Sequence, residues 1–137
     1  MSRRRARQAS PQWGVNADRV DAAAVDAYAA TGVRCHELLA LVVSDDESAT
    51  MTSAEQLADR AQTIGAEWVL TVFTAKVPPQ HIQRCAKLFD DVGAGIAVEY
   101  TPLGAIPSIR DGMDVVRPAS PRWACRPDDR FLALLLQ

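Results

Sequence analysis

The first sustained pattern along the chain is helical. From Asp18 to Thr31 an alanine-rich run sets Val25, Tyr28 and Ala29 at helical spacing, and Gly32 follows where a helix would stop. Val33 to Val43 then ends in a continuous apolar run, suited to a strand covered on both faces and placed over the second half of the segment. Ser53 with Gln56 forms a capping box, and Ala54, Leu57, Ala58, Ala61 and Ile64 mark one helical face up to Gly65. Glu67 to Phe73, rich in β-branched and aromatic residues, predicts a second strand. Pro78 and Pro79 suit the first turn of the next helix, whose buried stripe is Ile82, Cys85, Ala86, Phe89 and Val92, with Gly93 and Gly95 ending it. Gly95 to Tyr100 is a third strand, and Ile106, Ile109, Met113 and Val116 make a last helical stripe.

The order is therefore helix, strand, helix, strand, helix, strand, helix. Strands separated by helices, at a period of roughly 25 to 30 residues, imply parallel pairing through right-handed crossovers and an α/β fold. Three units are expected: a basic flexible arm over 1–17, a βα domain over 18–117 and an irregular tail rich in proline and arginine over 118–137. Three strands make a thin sheet with two edges, each a row of unpaired backbone groups, so the expectation is either association through those edges, with a second copy or a partner chain, or membership of a larger design.

Composition narrows the function. At 137 residues and 48% hydrophobic content, one globular core is expected. The net charge of −2 lacks the broad basic field of a nucleic-acid binder. Arg3, Arg4, Arg5 and Arg7 are not followed by an apolar h-region, so they read as an arm and not an export signal. Even Phe131 to Leu136 is far too short to cross a bilayer, and the expected location is cytoplasmic. Cys35, Cys85 and Cys125 are odd in number and widely separated, which fits reduced thiols better than a disulfide frame or zinc site.

Glu99 carries the strongest chemical signal. It closes the third strand just before Tyr100, and a carboxylate at the exit of a buried strand is costly to desolvate and lies where α/β folds bind ligands. The other candidates have plainer readings. Ser44-Asp45-Asp46-Glu47 after the first strand reads as a solvated loop, because the second strand ends Phe73-Thr74-Ala75-Lys76 without a phosphoacceptor aspartate. His36 and His81 belong to no ligand-spaced pair, with His81 nearer a strand exit. Gly93-Ala94-Gly95 precedes a strand, so helix termination explains it better than phosphate binding. Lys76 at the second strand's exit reads as facing water in preference to meeting a substrate phosphate, and Trp13, Trp68 and Trp123 read as packing residues.

The stretch Gly95-Ile96-Ala97-Val98-Glu99-Tyr100-Thr101-Pro102-Leu103-Gly104-Ala105-Ile106-Pro107-Ser108-Ile109, with Gly65-Ala66-Glu67-Trp68-Val69 upstream, resembles the sugar phosphate isomerase/epimerase family of xylose isomerase-like TIM barrels. Members carry a similar strand ending in glutamate, then an aromatic residue, a proline and a helix-opening segment. The resemblance spans Asp18 to Arg117 and implies a partial (β/α) barrel, a third to a half of a fold that takes about 250 residues. It implies a divalent metal, Mg²⁺, Mn²⁺ or Zn²⁺, with Glu99 as a ligand, and a small carbohydrate or polyol as substrate. The family's next strand brings an aspartate with a histidine a few residues later, and further strands bring another histidine and a second glutamate. In that place this chain has Pro118 to Gln137, with Asp128 and Asp129 but no histidine. The expectation is a catalytically incomplete isomerase/epimerase-like protein, with truncation or frameshift near Arg117 as the cause. The alternatives are a noncatalytic interaction or oligomerising module and a small α/β ligand-binding domain unrelated to barrels.

Overall fold

Five parallel strands, ordered β1-β2-β3-β4-β5 as in the chain, form one sheet in the computed structural model, which describes residues 12–119 and 123–127. The strands are β1 (Gln12–Asn16), β2 (Arg34–Val43), β3 (Trp68–Phe73), β4 (Gly95–Tyr100) and β5 (Trp123–Pro127). The helices between them are α1 (Ala22–Thr31), α2 (Glu47–Ile64), α3 (Pro79–Asp91) and α4 (Ile109–Val116), with a 3-10 turn at Ala17–Arg19. When each strand lies beside its predecessor and crossovers are right-handed, every helix falls on the same face. This is the strand order of a barrel wall, and the fold is α/β with a partial (β/α) barrel architecture.

The core lies between sheet and helices. Leu38, Leu41, Val43, Val69, Phe73, Ile96 and Val98 from the strands pack with Ala54, Leu57, Ala58 and Ala61 of α2 and Ile82, Cys85, Ala86 and Phe89 of α3. The alanines of α2 let that helix sit close to β2, and α2 also packs on α3. Residues alternate along a strand, so the other face presents Trp68, Leu70 and Val72 of β3 and Gly95, Ala97 and Glu99 of β4. A register shift between Leu38 and Leu41 keeps Leu38, Leu41 and Val43 all in the core and places Val42, 51% exposed, on the face away from the helices.

Several boundaries differ from the sequence reading. The expected arm over 1–17 contains β1, and the expected tail over 118–137 contains β5, so the sheet has five described strands and not three. β2 takes all of Arg34–Val43, not only the apolar second half. Ser53 is no cap: α2 begins two turns of chain earlier, where the Asp46 carboxylate accepts the Ala49 N–H at 3.0 Å. α1 starts at Ala22 behind Asp21, whose carboxylate accepts the Ala24 N–H at 2.8 Å, and none of its residues is buried. Gly93, at φ +78°, does end α3, but Gly95 is a strand residue beneath the Trp68 ring. In α4 the buried positions are Gly112 and Val116, whereas Ile109 is 51% exposed and the buried Ile106 belongs to the preceding loop.

Candidate functional site

The strand exits of β2, β3 and β4 lie at one end of the sheet, because all strands run parallel. Each exit is fixed by local hydrogen bonds. Thr74, just after β3, donates its N–H to the Val43 carbonyl at 2.9 Å and its hydroxyl to the same oxygen at 3.2 Å, tying the β2 and β3 exits together. The buried Thr50 hydroxyl reaches back from α2 to accept the Ser44 N–H at 3.3 Å. After β4, Thr101 donates its N–H to Ile106 at 3.0 Å and accepts the Gly104 N–H at 2.9 Å, closing the loop that leads to α4. There Ser108 caps the helix by accepting the Asp111 N–H at 3.2 Å.

Glu99 stands where the sequence places it, at the penultimate position of β4 and half-buried. Its Cα is in register with Arg126 of β5, and Val98 before it belongs to the helix-side core, so alternation directs Glu99 to the opposite face. In a closed barrel that face at that end is the wall of the mouth.

A second cluster sits on the helix layer at the same end. Glu47, the first residue of α2, has Oε2 3.1 Å from His81 Nε2 and pairs through Oε1 with Arg84. His81 and Arg84 both lie near the start of α3, so successive βα units deliver acid and base to neighbouring positions. His81 Nδ1 is buried without a hydrogen-bond partner. The sequence reading took Ser44 to Glu47 as a solvated loop and left His81 alone. The available signal was the placement of Glu47 and His81 at the starts of consecutive helices in consecutive units.

The remaining candidates do not gather at Glu99. His36 lies in the opposite, strand-entry half of β2, with Nδ1 3.6 Å from Glu67 Oε2, beside an Arg34–Glu67 ion pair. Lys76 lines a cavity of about 220 Å³ with Phe73, Ile106, Asp111 and Asp114, between the β3 exit and α4. Cys35 and Cys85 are buried free thiols; burial raises both, and Cys85 is pushed up to about 11, so neither is a ready nucleophile at neutral pH. Trp68 is half-buried against Gly95, and Trp123 is half-buried with the Arg117 guanidinium 5.9 Å from its ring centroid. Asp128, Asp129 and the side chains of Trp13 and Cys125 lie outside the described residues. Among the described residues no three His, Cys, Asp or Glu side chains converge to hold a metal ion, and no helix is long and apolar enough to cross a membrane.

No family model and no curated protein matches the sequence. Solved structures do match. Protein SMc04130 from Sinorhizobium meliloti 1021 superposes with a TM-score of 0.69 at 15% identity, over 85% of this chain and 52% of that one. A xylose isomerase domain-containing protein from Salmonella typhimurium LT2 gives 0.66 at 18% identity, over 82% and 48%. The IolI protein, whose structure holds a zinc atom, gives 0.58 at 15% identity, over 69% and 41%. The fold is thus that of the xylose isomerase-like TIM barrels, and the chain spans between 41% and 52% of the length of these three structures.

Proposed function

We propose that this chain is a sugar phosphate isomerase/epimerase-like protein of the metal-dependent xylose isomerase-like type, with Glu99 as one ligand position and without a complete catalytic site of its own. The observation that carries the reading is the place of Glu99: a half-buried carboxylate at the exit of β4, on the face away from the helices, in a xylose isomerase-like fold. A carboxylate oxygen suits a hard divalent cation such as Mg²⁺ or Mn²⁺, and Zn²⁺ also accepts it. The zinc in the similar IolI structure supports a metal of this kind. A small carbohydrate or polyol is the substrate class in keeping with the fold.

The described residues do not fit a full metal centre. Catalytic zinc takes about three protein ligands, and among the described residues no such group converges. No step of a reaction is therefore assigned to a metal held by this chain. What Glu99 contributes is an anionic oxygen donor at the mouth, and a functioning centre needs further donors from elsewhere.

The test is titration of Mn²⁺ into the wild type and Glu99→Ala, followed by loss of the free-ion electron paramagnetic resonance signal. Weak binding that disappears in Glu99→Ala, with unchanged far-UV circular dichroism, is the expected result. Binding that is absent, or equal in both proteins, overturns the metal assignment.

A further inference from the structure

Among the described residues, β1 and β5 form the two edges of the parallel sheet, and neither has a second strand neighbour. The edges are complementary, since both strands run in the same direction and carry the helix layer on the same side. We propose that two copies of this chain associate head to tail, β5 of each pairing in parallel with β1 of the other, to close a ring around a twofold axis running along the strands.

Three observations select this partner and polarity. The face away from the helices carries apolar residues that no described helix covers: Val42 is 51% exposed and Val72 half-buried, while Leu70 and Ala97 in mid-strand are buried. Continuing the sheet in its own sense keeps that face inside the ring, whereas pairing β1 with β1 of a second copy in parallel turns half of it outward. Beside the β1 edge lies a groove of about 310 Å³ lined by Gly14, Ala27, Tyr28, Thr31 and Val33, and α1 next to it buries none of its residues despite its apolar composition. A helix layer continued from a second copy would fill that groove.

The area decides between one seam and two. A five-residue strand is about 17 Å long and the sheet with its helix layer is about 20 Å deep, so one seam covers about 350 Å² per copy. Closing both seams brings the total to about 1,400 Å², within the roughly 1,200–2,000 Å² of stable interfaces, while a single edge contact stays below the roughly 800 Å² typical of lattice contacts. A twofold ring forms both seams at once. The inference rests on the fold and not on the metal reading, and closure would set Glu99 of both copies around one lumen.

The experiment uses the full chain. Sedimentation of the wild type is expected to give twice the 14.9 kDa chain mass at micromolar concentration. A Gly14→Lys variant places a charge on the β1 edge, where a new Cβ has no contact closer than 3.5 Å, and is expected to be monomeric with native circular dichroism. In an Asn16→Cys, Pro127→Cys variant made from mixed ¹⁴N and ¹⁵N copies, a short bismaleimide is expected to join position 16 of one copy to position 127 of the other. Within one chain those strands have three others between them, about 19 Å from edge to edge. A monomeric wild type, an open series of higher masses, or cross-links joining 16 to 16 or 127 to 127 would overturn the proposal, and the cross-link reading stands even if Gly14→Lys fails to fold.

Discussion

Asp46 shows how one side chain sets the start of an element. Its carboxylate accepts the Ala49 N–H, so Asp46→Ala should cost about 1 kcal/mol and lower the urea midpoint with an unchanged slope, while Ser53→Ala, inside the helix, should change it little. The sequence made Ser53 the more visible cap because Ser48, Thr50 and Thr52 are poor helix formers, and only the structure shows Thr50 buried and bonded to Ser44. The strand-end position of Glu99 was legible for the opposite reason: a strand of small and β-branched residues with an acid next to its end is a local signal that tertiary packing does not alter. The Glu47–His81–Arg84 cluster was not, since a contact between two helix starts depends on how adjacent βα units pack. Cys85 makes a prediction about pH. Burial raises its thiol from 9.0 to about 11, so the unfolded chain loses that proton first; stability from this group is intact below about pH 9 and falls as pH rises through 11. Urea midpoints between pH 8 and 11 should decline more steeply in the wild type than in Cys85→Ala.

At the scale of elements, β3 and β4 meet with Trp68 lying over Gly95. A Cβ at position 95 would come within 2.5 Å of the Trp68 ring, so Gly95→Ala should destabilise by about 1–3 kcal/mol, and much of that loss should vanish when Trp68→Leu removes the ring. Chemical denaturation of the two single variants and the double variant checks the coupling. α1 lies at the other extreme: with no buried residue, its amides should exchange with deuterium well before those of α2 and α3, which hold Ala54, Leu57, Ile82 and Phe89 in the core. Three strands and four helices were readable because each carries its own period of apolar residues. β1 and β5 were not, as Gln12-Trp13-Gly14-Val15-Asn16 and Trp123-Ala124-Cys125-Arg126-Pro127 have a glycine or proline within five residues and become strands through pairing with β2 and β4.

At the scale of the molecule, the parallel α/β order was legible from the alternation of elements, and the partial-barrel class followed from the resemblance around Glu99. The molecule's polar interactions are distributed in a way that separates two tasks. Glu47, His81 and Arg84 tie the starts of α2 and α3 together on the helix layer, and Thr74 ties the β2 and β3 exits, while Glu99 faces away from the helices. Such part-exposed ion pairs are each worth only about 0–1 kcal/mol, so they orient the rim more than they hold the fold. The Trp68–Gly95 contact on the Glu99 side also joins β3 to β4, so residues on that side differ in how freely they exchange. A wall joined in this way keeps its strands in register while the loops at their exits vary in length and sequence.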